Sequence, residues 1–391
     1  MIETVDERER ARASRKRVQV RRRRATLAAT AVIALVAGVA VGAGGGEEPR
    51  EAAPEASPQA REQPPPEEAI ERLTLEQQVG RLVILRFAGT EAPGYVRRVL
   101  SEGRAAGAIL FRDNVTDPVQ LRALARSLRR AGRDVLVCAD QEGGPIRTVP
   151  WVAPERAAPA QQAFGAVRED SQAGGRDLRA AGINVTLGPV ADVPSVDGSV
   201  MTNRAFTADP TAAIAAVAES VAGWHDGGVA TTVKHFPGLG GATVNTDEGS
   251  AVVDRTREQL EEDLGPYVFA ISQGTEFIMA SHAVYPALDD ERIASQSPEV
   301  IEGLLREQLG YDGVVMTDSI EAEAVRAVTD VEEAALASVE AGVDVILTTG
   351  RGSYIRVYRA LLARARGNRA FRERVRESAT RVLAAQSSAN G

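Results

Sequence analysis

From about Ile70 onward, short apolar runs rich in β-branched residues alternate with longer segments whose apolar positions recur at helical spacing. Eight runs read as strands: 81–87, 107–111, 135–140, 183–187, 229–233, 277–280, 313–317 and 343–348. Residues 119–131 carry apolar positions on one helical face, and 331–341 is Ala-rich with an acidic first turn. Strands that alternate with helices pair in parallel. Eight such units over roughly 300 residues predict an α/β fold, a (β/α)8 TIM-type barrel forming a single catalytic domain. The rival, a doubly wound open sheet, would carry a G-x-G-x-x-G turn after its first strand, and none is present there.

Active sites of such barrels collect side chains from the C-terminal ends of several strands. Five of the eight predicted strands end or run on in polar residues: Asp140-Gln141-Glu142-Gly143-Gly144, Asp192, Lys234-His235, Ser281-His282 and Thr317-Asp318. The stretch 229–250 is the densest, passing from an apolar strand through Lys234-His235 and a Gly-rich loop to Asn245-Thr246-Asp247. Of 46 basic residues only Lys16 and Lys234 are lysines. A chain so biased toward Arg that keeps a lysine at a strand end uses its compact ammonium, which a planar guanidinium does not replace. His225, in Trp224-His225-Asp226-Gly227-Gly228, reads as a helix C-terminal group outside the site.

Charge and composition add a second region. Residues 1–24 hold a basic cluster ending in Arg21-Arg22-Arg23-Arg24, and 25–43 is an uncharged apolar stretch of bilayer-spanning length. The positive-inside rule makes 1–24 a cytoplasmic segment and 25–43 a transmembrane signal anchor, or a signal peptide if it is cleaved. Residues 44–67, rich in Pro, Glu and Ala, read as a disordered tether, leaving 68–388 for the barrel. The expected location is the cell membrane, single-pass, with the barrel outside the cytoplasm, or secretion after cleavage. With a net charge of -8 despite the basic N-terminus, the body is acidic, which argues against nucleic acid as a partner. Cys138 is the single cysteine, so the body folds without an internal disulfide. The barrel is expected to act as a monomer.

No HxxxH, CxxC or GxSxG pattern occurs, so neither a metal nor a dissociable cofactor is expected. Several carboxylates, one Lys and two His around one barrel mouth suit glycoside hydrolysis, in which one carboxylate attacks or stabilises the sugar cation and another protonates the leaving oxygen. A Schiff base on Lys234 is the mechanistic rival.

Lys234-His235-Phe236-Pro237-Gly238, Asp140-Gln141-Glu142-Gly143-Gly144 and Thr317-Asp318 resemble motifs of glycoside hydrolase family 3, in its short β-N-acetylhexosaminidase branch. Gly182-Ile183-Asn184-Val185, Pro189-Val190-Ala191-Asp192, Asn203-Arg204-Ala205-Phe206 and Tyr311-Asp312-Gly313-Val314-Val315 extend the resemblance over roughly 68–388. It implies a retaining hydrolase that removes terminal β-linked N-acetylglucosamine through a covalent glycosyl-enzyme on Asp318; together with the N-terminal apolar stretch, the expectation is an exported enzyme acting on cell-wall fragments. It implies sugar contacts from Asp140, Arg204, Lys234 and His235; His282 joins them as a strand-end residue. Arg147, in the altered continuation Pro145-Ile146-Arg147-Thr148, is expected to take over part of a family arginine's role. The loop after strand five departs from the branch. Where the family has a second His and an Asp-Ser-His triplet, this chain has Leu239 and Asn245-Thr246-Asp247. Asp247 is therefore the candidate acid/base and Asn245 its candidate orienter. The alternatives are β-glucosidase-like activity on the same fold, or a catalytically weak sugar-binding envelope protein.

Overall fold

The computed structural model describes residues 65–391. The basic segment, the apolar stretch and all but the last residues of the tether lie outside the described residues. Among the described residues no helix is long and apolar enough to cross a membrane.

Eight strands close into a parallel barrel in chain order: β1 Val83–Arg86, β2 Gly107–Leu110, β3 Leu136–Ala139, β4 Val185–Thr186, β5 Ala230–Phe236, β6 Phe277–Ala280, β7 Val314–Ser319 and β8 Val345–Thr348. Each lies within or overlaps its predicted run. The main differences are at β5 and β7, which run on through Lys234-His235-Phe236 and Asp318-Ser319. Helices cover the outside: α1 Leu75–Arg81, α2 Gly94–Ser101, α3 Pro118–Ala131, α4 Val167–Ala181, α5 Pro210–Asp226, α6 Gly265–Ser272, α7 Glu299–Gln308 (wound as a π-helix), α8 Val331–Glu340, α9 Ser353–Gly367 and α10 Arg369–Asn390. Asp117, Asp209 and Asp330 start α3, α5 and α8 by accepting hydrogen bonds from the first free backbone N–H groups, each cap contributing about 1 kcal/mol. A four-residue helix, Pro66–Ala69, already includes Pro66 and Glu67, which the sequence reading assigned to the tether.

The strands divide their side chains by parity, as a pleated strand must. Ile84, Ile109, Leu136, Cys138, Val185, Phe277, Met279, Val314, Met316, Val345 and Leu347 fill the barrel interior. Their neighbours Leu85, Leu110, Val137, Ile278, Val315 and Ile346 pack outward among the helices. Burial on both faces explains why the strands read as continuous apolar runs.

The interior is closed from below by α10, whose Val382, Ala385 and Ala389 join the same apolar cluster. Gln386 of α10 accepts from Arg81 Nη1 at 3.0 Å and donates to the Ala106 carbonyl at 3.0 Å. Asp344, fully buried just before β8, gathers Arg306 of α7 with Arg374, Ser378 and Arg381 of α10. Those three guanidiniums hold its carboxyl below the usual range, although burial alone would raise it. His225 sits in the last turn of α5, but its Nε2 meets Glu276 at 3.0 Å instead of capping carbonyls.

Candidate active site

At the C-terminal ends of the strands lies a cavity of about 550 Å³. Its wall follows the interior parity one step further. Two residues beyond Ile84, Ile109, Cys138, Met316 and Leu347 come Arg86, Phe111, Asp140, Asp318 and Thr349, and all five line the cavity. Lys234 and His235 are adjacent yet both line it. The register between β5 and β6 slips between Lys234 and Phe236, so two β5 residues advance against one of β6.

Lys234 is buried, with Nζ 2.7 Å from Asp140 Oδ1 and 2.7 Å from Glu142 Oε1. Arg204 grips Glu142 with two nitrogens, Nε to Oε2 at 3.0 Å and Nη2 to Oε1 at 2.7 Å. Burial works against both the Glu142 carboxylate and the Lys234 ammonium, and the opposite charges prevail: Glu142 is lowered to about 2 and Lys234 is raised. Glu142 thus fixes the two cations while Asp140, more open, keeps an oxygen for the cavity. Gly143 and Gly144 make this possible. Their φ angles of 113° and 56° turn the chain into a short hairpin, Gln141–Gly143 with Ile146–Arg147, and a Cβ on Gly143 would stand 2.2 Å from the Arg156 carbonyl.

His235 is aimed from behind. Its Nδ1 donates to Asp192 Oδ2 at 2.7 Å, while Asp192 Oδ1 accepts from the backbone N–H groups of His235 and Leu239 and from the Tyr267 hydroxyl. The other ring nitrogen, Nε2, faces Asp318 Oδ2 at 3.7 Å. Asp318 Oδ1 accepts from the Ser319 N–H at 2.7 Å. Burial would raise Asp318, but His235, His282 and Lys234 hold it below the ordinary carboxylate range. One oxygen of an ionised carboxylate is pinned and the other faces the cavity, an arrangement able to attack an electrophilic carbon.

The loop after β5 brings Asn245, Thr246 and Asp247 to the rim. Thr246 is buried and its carbonyl accepts from Ala324 N, docking the loop on the segment that follows β7. Asn245 does not orient the Asp247 carboxyl as expected from sequence. Its Oδ1 accepts from the Asp247 backbone N–H at 3.1 Å and so shapes the turn. Asp247 is pushed above the usual range by partial desolvation and by the Asp318 carboxylate.

Two further expectations are corrected. Arg147 does not line the cavity; its guanidinium donates to the carbonyls of Gly144 and Pro150, both at 3.0 Å, and holds its own loop. His282 is buried behind the wall, with Nδ1 2.8 Å from Ser295 Oγ and Nε2 donating to the Ser319 carbonyl at 3.1 Å, so neither nitrogen is available to a sugar. Conversely, Arg86, Glu142, Ser319 and Thr349 line the cavity and were not selected from sequence. Strand parity was the signal that could have found Arg86 and Thr349. Among the described residues no group of three or more His, Cys, Asp or Glu is arranged to hold a metal ion.

The model of the glycosyl hydrolase family 3 N terminal domain matches residues 74–385. A β-hexosaminidase of Stenotrophomonas maltophilia (strain K279a) is 32% identical over 278 residues, 68% of this chain and 82% of that protein. One of Xanthomonas euvesicatoria pv. vesicatoria (strain 85-10) is 34% identical over 278 residues, 68% of this chain and 83% of its own. Among solved structures, a family 3 β-N-acetylglucosaminidase from Paenibacillus sp. str. FPU-7 superposes with a TM-score of 0.78 at 35% identity, covering 81% of this chain; the chain spans 63% of that protein. A β-N-acetylhexosaminidase from Beutenbergia cavernae DSM 12333 gives a TM-score of 0.74 at 31% identity, covering 81% of this chain and 99% of its own.

Proposed function

The chain belongs to glycoside hydrolase family 3 and is an O-glycosyl hydrolase, and on that premise we propose that it removes terminal β-linked N-acetylglucosamine with retention of configuration. The observation that carries this reading is Asp318, half-buried and ionised, with Oδ1 held by Ser319 and Oδ2 turned toward the cavity beside His235. Asp318 attacks the anomeric carbon while Asp247 gives its proton to the leaving oxygen. The glycosyl-enzyme is then hydrolysed by a water that Asp247 deprotonates. Lys234 and Arg204, locked together through Glu142, and Asp140, held by Lys234, hold sugar hydroxyls in the opposite wall. The names of the relatives at 32% and 34% identity support the choice of sugar. The basic segment 1–24 followed by the uncharged stretch 25–43 supports export to the outer side of the membrane, where fragments of cell-wall glycan are the proposed substrates.

The test is release of nitrophenol from the aryl β-N-acetylglucosaminide and the aryl β-glucoside. Asp318→Asn lowers kcat by at least roughly 10⁴-fold. Asp247→Asn loses about 10² to 10⁴-fold on a disaccharide and much less on the aryl glycoside, whose leaving group needs little proton assistance. Unchanged turnover in Asp318→Asn would sink the assignment. Faster release from the glucoside would move it to the β-glucosidase alternative, and release from neither would favour a sugar-binding protein.

A further inference from the structure

We propose that Ser319 and Thr349, locked by Glu321, form an acceptor-only edge of the cavity that selects a sugar carrying a hydrogen-bond donor, a free hydroxyl or an amide N–H, at the position facing them. The inference rests on the sugar-hydrolase reading and names a specificity element within it.

The basis is a proton inventory. Glu321 Oε2 accepts from the Thr349 backbone N–H at 2.8 Å and from the Thr349 hydroxyl at 2.8 Å. The Ser319 hydroxyl lies 3.3 Å from the same oxygen and in close contact with Thr349 Oγ1. A hydroxyl has one proton. Either Thr349 donates to Glu321 and Ser319 to Thr349, or Thr349 donates to Ser319 and Ser319 to Glu321. Both protons are therefore consumed on the side away from the cavity, and both oxygens turn lone pairs toward it. Ser319 and Thr349 line the cavity beside Asp318.

The backbone is built to admit this carboxylate. A Cβ on Gly350 would stand 2.7 Å from Glu321 Cγ, 3.0 Å from its Oε1 and 2.6 Å from Ser353 Oγ, so the place Glu321 occupies exists because residue 350 has no side chain. The other carboxylate oxygen, Oε1, is buried with no hydrogen-bond partner. Leaving a buried acceptor unpaired is costly, which marks the position as one held for its chemistry rather than for packing. An ether oxygen or any other acceptor set against this edge would leave lone pairs opposed. A donor would satisfy it.

The test is a cycle between enzyme and substrate, using the full chain. The substrates are the aryl β-N-acetylglucosaminide and four analogues each lacking one donor: the 3-, 4- and 6-deoxy sugars and the 2-acetoxy ester, which has no N–H. The enzymes are wild type, the double variant Ser319→Ala with Thr349→Val, and Glu321→Ala, which removes the acceptor and frees the two hydroxyl protons to turn toward the cavity. The expected loss in kcat/KM on the parent sugar is roughly tenfold to a hundredfold for the double variant, with a similar loss for Glu321→Ala. One analogue must show no further loss in the double variant. Full additivity for all four analogues, or a double variant as active as wild type, overturns the proposal. The same cycle is read as Kd by calorimetry in the Asp318→Asn background, which needs no turnover. A wild type that binds but does not hydrolyse refutes the hydrolase reading, while the coupling in Kd still decides this one.

Discussion

Asp318 and Asp247 divide the labour of two carboxylates by environment. Asp318 is held below the usual range and must be ionised to attack; Asp247 is raised and must be protonated to act as an acid. The signs fix the pH profile. Activity falls at low pH as Asp318 takes up a proton, and falls again as pH rises through the raised value of Asp247. In Asp247→Asn the alkaline limb of kcat/KM on aryl glycosides is expected to vanish while the acid limb stays; an unchanged alkaline limb would assign the acid elsewhere. The cation opposite is equally constrained. Lys234 reaches carboxylates on both sides at 2.7 Å, a geometry suited to a compact ammonium and not to a wide planar fork. That the position called for Lys was readable from the Arg-rich composition. That Glu142 is its second partner was not, because the hairpin placing it depends on tertiary contacts of Gly143.

At the scale of elements, the eight strands were legible because burial on both faces makes each a run of apolar residues. What the runs did not disclose was which strand-end residue points inward. β6 ends at Ala280, so His282 lies beyond the strand, where its ring is bonded to Ser295 and supports Ser319. His235 has the wrong parity and reaches the cavity only through the register slip in β5. Arg147 was misread because a loop's conformation is not set by strand parity. The loop after β5 has its own steric requirement. A Cβ on Gly240 would stand 1.7 Å from the Val193 carbonyl, so Gly240→Ala must lift this loop from the segment that carries Asp192. The expected cost is about 1–3 kcal/mol of stability, measured by denaturant titration, with a fall in kcat as the Asp192 bonds to His235 and Leu239 loosen. A variant of wild-type stability and turnover would show that the loop shifts freely.

For the body as a whole, α10 closes the barrel opposite the cavity, and Asp344 is its fastening. Asp344→Asn leaves three guanidiniums facing a neutral amide at a fully buried position, an expected loss of roughly 3–5 kcal/mol seen as a lower Tm. The linkage has a definite sign. A carboxylate depressed in the folded state contributes stability that is complete above its unfolded value, about 3.9, and is lost as pH falls through the lower folded value. The gap in Tm between wild type and Asp344→Asn therefore narrows in acid. A gap independent of pH would mean the carboxylate's charge is not what holds the helix. Catalysis sits at the other end of the strands, so this variant should lose stability without changing the pH profile of the surviving enzyme.

The scarcity of lysine has a practical consequence for handling the protein. Lys234 is 2% exposed and clamped between carboxylates, and the only other lysine is Lys16, outside the barrel. A reagent that acylates accessible primary amines finds no other lysine on the barrel, whose remaining cations are arginines. Treatment with an amine-reactive dye would therefore leave the catalytic mouth chemically untouched.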